Sequence, residues 1–156
     1  ESWREVPGYI HAEDSIVEEH LQEWLEQVES LLQEKNLVTG GHIAIGQMLR
    51  WGPGEDDGIW PVPAVCNALE DLSSEVVDNH FRMEVYNSRG VTSRGPHEGG
   101  GQERALVEKY DGYAEKVESK WPRVASILRG LADTYRSEAE RMDRRAERDQ
   151  DNFGKS

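Results

Sequence analysis

The sequence is short of cysteine, of long apolar runs and of positive charge. Its single cysteine, Cys66, excludes an internal disulfide framework and a multi-cysteine zinc site, and predicts a cytoplasmic protein. The most apolar stretch, residues 59–69, contains two prolines and falls well short of the roughly 20 apolar residues that cross a bilayer, so we expect no membrane contact. The 18 Lys and Arg face 31 Asp and Glu, a net charge of −13. This balance argues against general nucleic-acid binding, which needs cations at the phosphates.

Helical periodicity begins near Ser15, where Ser15 and Glu18 have the spacing of a capping box. An apolar stripe at i, i+3 and i+4 intervals follows, ending near Asn36. The stripe predicts a first helix after an N-terminal extension, residues 1–14. A shorter second helix is predicted from about residue 41 to residue 51.

A third helix is predicted from the prolines at 61 and 63 to about Tyr86, because proline suits the first turn of a helix. Most of its apolar residues fall within one arc of the helical surface, but Val77, Phe81 and Val85 fall on another side. Its second half is therefore either the central helix of a bundle or a helix that contacts a partner. We name Val77, Phe81 and Val85 as interaction candidates.

The C-terminal third carries an apolar stripe from Leu106 to Ala146 with a spacing of about 3.6 residues, the natural helical period. Pro122 interrupts this stripe without shifting its phase. Either one long helix is kinked at Pro122, which the preserved phase favours, or the chain turns near residue 119 and a new helix begins. We expect a charged tail, residues 136–156, to project from the bundle, with Ala139 and Met142 available to a partner.

These segments predict an all-α fold over residues 1–156: a single bundle of about four helices with a long, Pro-interrupted C-terminal helix. The predicted core residues are Trp24, Val28, Leu72, Val76, Trp121, Leu128 and Leu131.

Known catalytic and metal-binding patterns are missing from the sequence. None of the five histidines has Glu three positions before it, as the di-iron bundle pattern requires. The serines lack a nucleophile elbow motif, and Cys66 lacks an obvious activating partner. We therefore predict no metal, no cofactor and no enzymatic activity.

A Gly- and Arg-containing loop, residues 87–102, leads directly into the last helical pattern. Arginines close to free backbone N–H groups at a helix start form an anion site. The candidate residues are Arg89, Arg94, His97 and Arg104. The alternative is a connecting loop whose arginines pair with the acidic surface.

The last two fifths of the chain show a resemblance in the succession RGVTSRGPHEGG, QERALVEKY and WPRVASILRGLADTYRSEAERMD. It resembles helical regions of uncharacterised actinobacterial proteins. The resemblance implies a bacterial origin and carries no activity with it.

For function, the sequence favours a non-enzymatic module of a larger system that binds a protein partner or associates with itself as a homo-oligomer. One alternative is a domain that recognises phosphate or another anion, or nucleic acid locally through residues 87–104. Another is an acidic inhibitor, similar to an antitoxin, that binds a basic partner.

Overall fold

The computed structural model describes residues 5–90 and 98–154. Within these residues the chain forms six α-helices: α1 (Glu18–Lys35), α2 (Val38–Leu49), α3 (Pro63–Leu72), α4 (Glu75–Asn87), α5 (Gly101–Val117) and α6 (Pro122–Phe153). The predicted all-α fold is confirmed, with more and shorter helices than expected. In the described part of the chain, none of the helices has the length and hydropathy needed to cross a membrane.

A small hairpin precedes α1, where the sequence predicts only an extension. Strands β1 (Tyr9–Ile10) and β2 (Ser15–Ile16) pair antiparallel, with Tyr9 opposite Ile16. Because Ser15 is extended, the predicted capping box does not form, and α1 begins three residues later. The Val17 amide instead donates to the Gly8 carbonyl at 2.8 Å. Gly8 has a φ of 85°, and a Cβ there would lie 2.6 Å from the Val17 oxygen.

The predicted third helix is two helices, α3 and α4, separated by a pair of serines. Ser73 has a left-handed backbone (φ 50°, ψ 42°) that ends α3. Ser74 is the N-cap of α4, and its Oγ accepts a hydrogen bond from the Val77 amide at 3.2 Å. The break between α3 and α4 is not visible in the apolar pattern, because it is set by polar hydrogen bonds. Serine competes for backbone hydrogen bonds locally and favours caps over helix interiors.

Residues 118–121 reverse the chain between α5 and α6, so the kinked-helix alternative is wrong. The Trp121 amide donates to the Val117 carbonyl at 2.7 Å, and Pro122 lies in the first turn of α6. The two helices run back along each other, since Arg129 pairs with Glu118 and Arg136 with Asp111. Proline at the first position of a helix leaves no needed N–H unsatisfied.

The C-terminal tail does not project along its whole length. Glu138, Ala139 and Ala146 are buried, so α6 packs against the bundle as far as Ala146. This packing corrects the expectation that the tail leaves the bundle at residue 136. From 147 to 153 the side chains are exposed or half-buried.

The core lies between α2, α4, α5 and α6, and α3 packs against α4 and α6. Of the predicted core residues, Trp121, Leu128 and Leu131 are buried as expected. The other four lie half-buried at its edge: Trp24, Val28, Leu72 and Val76. A row of aromatic rings runs from the core to the surface, with Tyr135 stacked between the exposed Tyr86 and the buried Tyr110 at 5.6 and 5.8 Å.

Candidate functional site

Arg89 of the predicted anion site is engaged by carboxylates of the same chain. Its guanidinium donates to Glu103 at 2.9 Å and lies 3.8 Å from Glu138. The Glu103 side chain is only 1% exposed, and Arg89 also lies over the ring of Tyr135. Arg89 therefore joins the end of α4 to the α5–α6 pair.

Arg104 is engaged in the same way at the start of α5. It donates to Asp143 at 2.7 Å, and the other oxygen of Asp143 accepts a hydrogen bond from the Gly100 amide at 2.8 Å. These contacts lower the pKa of Asp143, with the Gly100 amide as the largest cause. A carboxylate from α6 thus occupies the place where an external anion was expected.

The remaining two anion-site candidates, Arg94 and His97, lie outside the described residues. The anion-binding hypothesis stays a prediction. Arg89 and Arg104 support the alternative in which the arginines of the loop pair with carboxylates of the chain itself.

The residues predicted to meet a partner are inside the molecule. Val77, Phe81 and Val85 are at most 2% exposed, which corrects their assignment as surface candidates. They are buried because α4 is a central helix with α2 on one side and α6 on another. Ala139 is covered by Gly100, where a Cβ would lie 2.5 Å from the Ala139 backbone. Met142 remains half-buried.

A groove of about 640 Å³ lies between α1, α2 and residues 5–11 of the N-terminal hairpin. We call it the α1–α2 groove. Its helical walls are apolar: Trp24, Val28, Gly41, Ala44, Ile45 and Met48. Gly41 lies under the side chain of Leu32 on α1, which a Cβ at position 41 would displace.

Apolar surface continues beyond the groove. Leu31 follows Trp24 and Val28 at helical spacing on the same face of α1, and it is 54% exposed. Leu37, which connects α1 to α2, is 60% exposed. Together with the groove, these leucines form an apolar surface of the kind that marks interaction sites.

Charge around the α1–α2 groove is strongly one-sided. Residues 5–49 contain nine Asp and Glu against one lysine, a formal charge of −8 out of −13 for the whole chain. Six of these acids are on α1, whereas α2 has no Asp, Glu, Lys or Arg. None of the six glutamates of α1 lines the groove, whose acidic lining residue is Glu5. The groove is therefore an apolar floor within an acidic region of the chain.

Behind the groove, a hydrogen-bonded chain that we call the relay links Glu29, His42 and Ser74. His42 Nε2 lies 2.5 Å from Glu29 Oε1, and His42 Nδ1 lies 2.9 Å from Ser74 Oγ. The three residues come from α1, from α2 and from the start of α4. His42 is 9% exposed.

The relay is not evident from the sequence, because its members are 13 and 32 residues apart along the chain. One signal was present: His42 is the only titratable residue in the otherwise uncharged α2. A polar side chain in a buried apolar helix is hydrogen-bonded to something.

Two other titratable groups, Cys66 and Asp78, show no arrangement for chemistry. Burial raises the pKa of the Cys66 thiol to about 12, so its reactive thiolate is disfavoured. Asp78 pairs with Arg123 at 2.6 Å, although burial still raises the pKa of its carboxyl. Among the described residues, no group of three or more His, Cys, Asp or Glu side chains could hold a metal ion.

Comparison of the chain with models of protein families, with curated proteins and with solved structures gives no match. The resemblance to actinobacterial proteins stays a prediction.

Proposed function

We propose that this protein is an interaction module whose α1–α2 groove holds an apolar, positively charged helical segment of a partner protein. The observation that carries the proposal is the apolar groove within an N-terminal region, residues 5–49, of formal charge −8. An amphipathic helix lays its apolar face into such a groove and is read by side chains at i, i+3, i+4 and i+7.

The shape and lining of the groove favour a protein segment over a small molecule. A small-molecule site places a few converging polar groups among apolar walls. Here the two helical walls contribute only apolar side chains, and the apolar strip runs on to Leu31 and Leu37 on the outside. A strip of this length matches the repeating apolar residues of a helix.

The charge favours a basic partner over a second copy of this face. Two copies facing each other would bring together two regions of formal charge −8. Lysines and arginines beside the apolar residues of the partner would instead meet this acidic region, which speeds association and excludes acidic competitors. This arrangement agrees with the hypothesis of an acidic protein that binds a basic one.

The test uses fluorescent peptides and the full chain. A helical peptide with Leu at i, i+4 and i+7 and Lys elsewhere should bind, measured by anisotropy. The same pattern with Glu in place of Lys, and the Lys peptide with Ser in place of Leu, should bind at least tenfold more weakly, about 1.4 kcal/mol. Equal binding of the Leu and Ser peptides would show attraction by charge alone and contradict the proposal.

A matched pair of variants locates the binding surface. Ala44 lines the groove and Ala105 lies on α5, and both are exposed helical alanines. Ala44→Arg fills the groove and adds a positive charge to it, so it should weaken binding of the Lys peptide at least tenfold, while Ala105→Arg leaves binding unchanged. Equal effects of the two variants would place the binding elsewhere.

A further inference from the structure

The relay brings together the three groups that nucleophilic hydrolysis requires. Ser74 Oγ is within hydrogen-bond reach of His42, and His42 is held in turn by Glu29. With the ring proton on Nε2 and donated to Glu29, Nδ1 keeps a lone pair that accepts the Ser74 hydroxyl hydrogen. This is the tautomer that a general base for Ser74 needs.

The start of α4 leaves two backbone amides next to Ser74 without an acceptor inside the helix. Ser74 caps α4, whose first helical hydrogen bond runs from the Asp78 amide to the Ser74 carbonyl. The amides of Glu75 and Val76 precede it and so have no acceptor within the helix. Two such N–H groups at the positive end of a helix form the kind of site that holds the oxyanion of a tetrahedral intermediate.

A cavity of about 490 Å³ adjoins the relay between α1 and α3. Of the three relay residues, Glu29 lines this cavity, whereas His42 and Ser74 lie beyond its lining; Leu72, two residues before Ser74 in the chain, is also part of its wall. Leu25 and Ala68 add apolar surface for an acyl chain. Carboxylates also line it, those of Glu26 and Asp71 besides Glu29, and these disfavour a negatively charged substrate.

We propose that Ser74 is the nucleophile of an esterase site for uncharged or positively charged carboxylic esters. His42 is its general base, and Glu29 is a positioning residue that holds His42. The proposal is independent of the α1–α2 groove. The sequence analysis predicts no enzymatic activity, because no short motif connects these three residues.

The reaction needs only the ester and water. Ser74 Oγ bonds to the carbonyl carbon while its proton passes to His42 Nδ1. The carbon–oxygen bond to the leaving alcohol then breaks, and that oxygen takes the proton from His42. Water attacks the acyl-serine, gives a proton to His42, and releases the carboxylic acid as the proton returns to Ser74 Oγ.

The experiment measures hydrolysis of p-nitrophenyl acetate by the full chain, with labelling by a fluorophosphonate probe and mapping of the labelled peptide. We expect turnover above the buffer rate and label on Ser74. His42→Gln should lower kcat by about 100-fold or more, the contribution typical of a general base. Glu29→Gln should lower kcat and leave KM unchanged.

Two serine variants separate chemistry from folding. Ser74→Asn keeps a capping side chain but has no hydroxyl, so it should abolish both turnover and labelling. Ser73→Ala removes the neighbouring hydroxyl and should retain both. The proposal is overturned if the label maps to another residue, if Ser74→Asn hydrolyses ester as fast as the natural chain, or if the natural chain shows neither turnover nor label.

Discussion

Gly46 of α2 lies directly against the backbone of Val77 on α4. A Cβ at position 46 would be 2.5 Å from the Val77 carbonyl oxygen and 3.0 Å from the Phe81 amide nitrogen. Backbone atoms cannot move aside as a flexible side chain can. The absence of a side chain at Gly46 therefore sets how closely the two helices approach.

Gly46→Ala should lower the free energy of unfolding by about 1–3 kcal/mol, the usual cost of overpacking. Gly40 is a matched control in the same helix, because a Cβ there meets nothing within 4 Å. Gly40→Ala should stabilise the protein by about 0.5–1 kcal/mol through the helix propensity of alanine. Urea denaturation of both variants measures the effects, and equal shifts in one direction would refute the close contact at Gly46.

Arg89→Met should be strongly destabilising, by about 3–5 kcal/mol, because it takes the guanidinium away from a carboxylate that is 1% exposed. Arg129→Met is the control: it breaks a bidentate pair with the exposed Glu118, and its denaturation midpoint should not move. Adding Glu103→Gln to Arg89→Met should recover part of the loss, since that carboxylate is then neutral. No recovery would show that the loss of stability does not come from the Glu103 carboxylate.

The tyrosines should ionise at a higher pH than free tyrosine, and the protein should lose stability in alkali. The pKa of each of the five is raised above its ordinary value of 10.0, and burial raises those of Tyr113 and Tyr135 to about 12. The unfolded chain releases these protons at lower pH than the folded protein does. The contribution of the tyrosines to the free energy of unfolding is therefore complete below pH 10 and is lost as the pH rises from 10 to 12. Tyrosinate absorbance should appear near pH 10 only for the chain in denaturant; folded protein that is half ionised at pH 10 would contradict these raised pKa values.

Cys66 should report the opening of the core. Its thiol is fully buried and donates to the Pro61 carbonyl at 3.1 Å, so a thiol reagent at about pH 8 should react only when the protein opens. Ser137→Cys, at an exposed position on α6, supplies a second thiol that should react at once. Equal rates for the two thiols would mean that α3 opens freely in the native protein.

The fold class was readable from the sequence because long apolar stripes have a helical period that survives any arrangement of the helices. The helix boundaries could not be predicted from the sequence, because each of them depends on one or two local hydrogen bonds. Ser73 and Ser74 end one helix and begin the next with a single cap, and Pro122 starts a helix although the apolar phase continues through it. Phase alone cannot separate a kinked helix from two helices joined by a turn.

The two candidate sites show the same limit. Arg89 and Arg104 stood out by charge, yet their partners Glu103 and Asp143 are fixed only by the pairing of α5 with α6. The relay depends on α1, α2 and α4 meeting at one point, which no local pattern contains. Trp24 and Val28 were predicted as core, and their half-burial leaves them as walls of the groove.

The loose attachment of α1 has a consequence for the dynamics of the molecule. Two of its 18 residues are buried, Leu21 and Leu25, whereas α6 buries ten of 32. Helices with little buried surface open at a free energy well below that of global unfolding, so we expect amide hydrogens of α1 to exchange with solvent before those of α6. A partner bound against Trp24 and Val28 would slow that exchange. The complex would then show protected amide hydrogens in α1 without a change of fold.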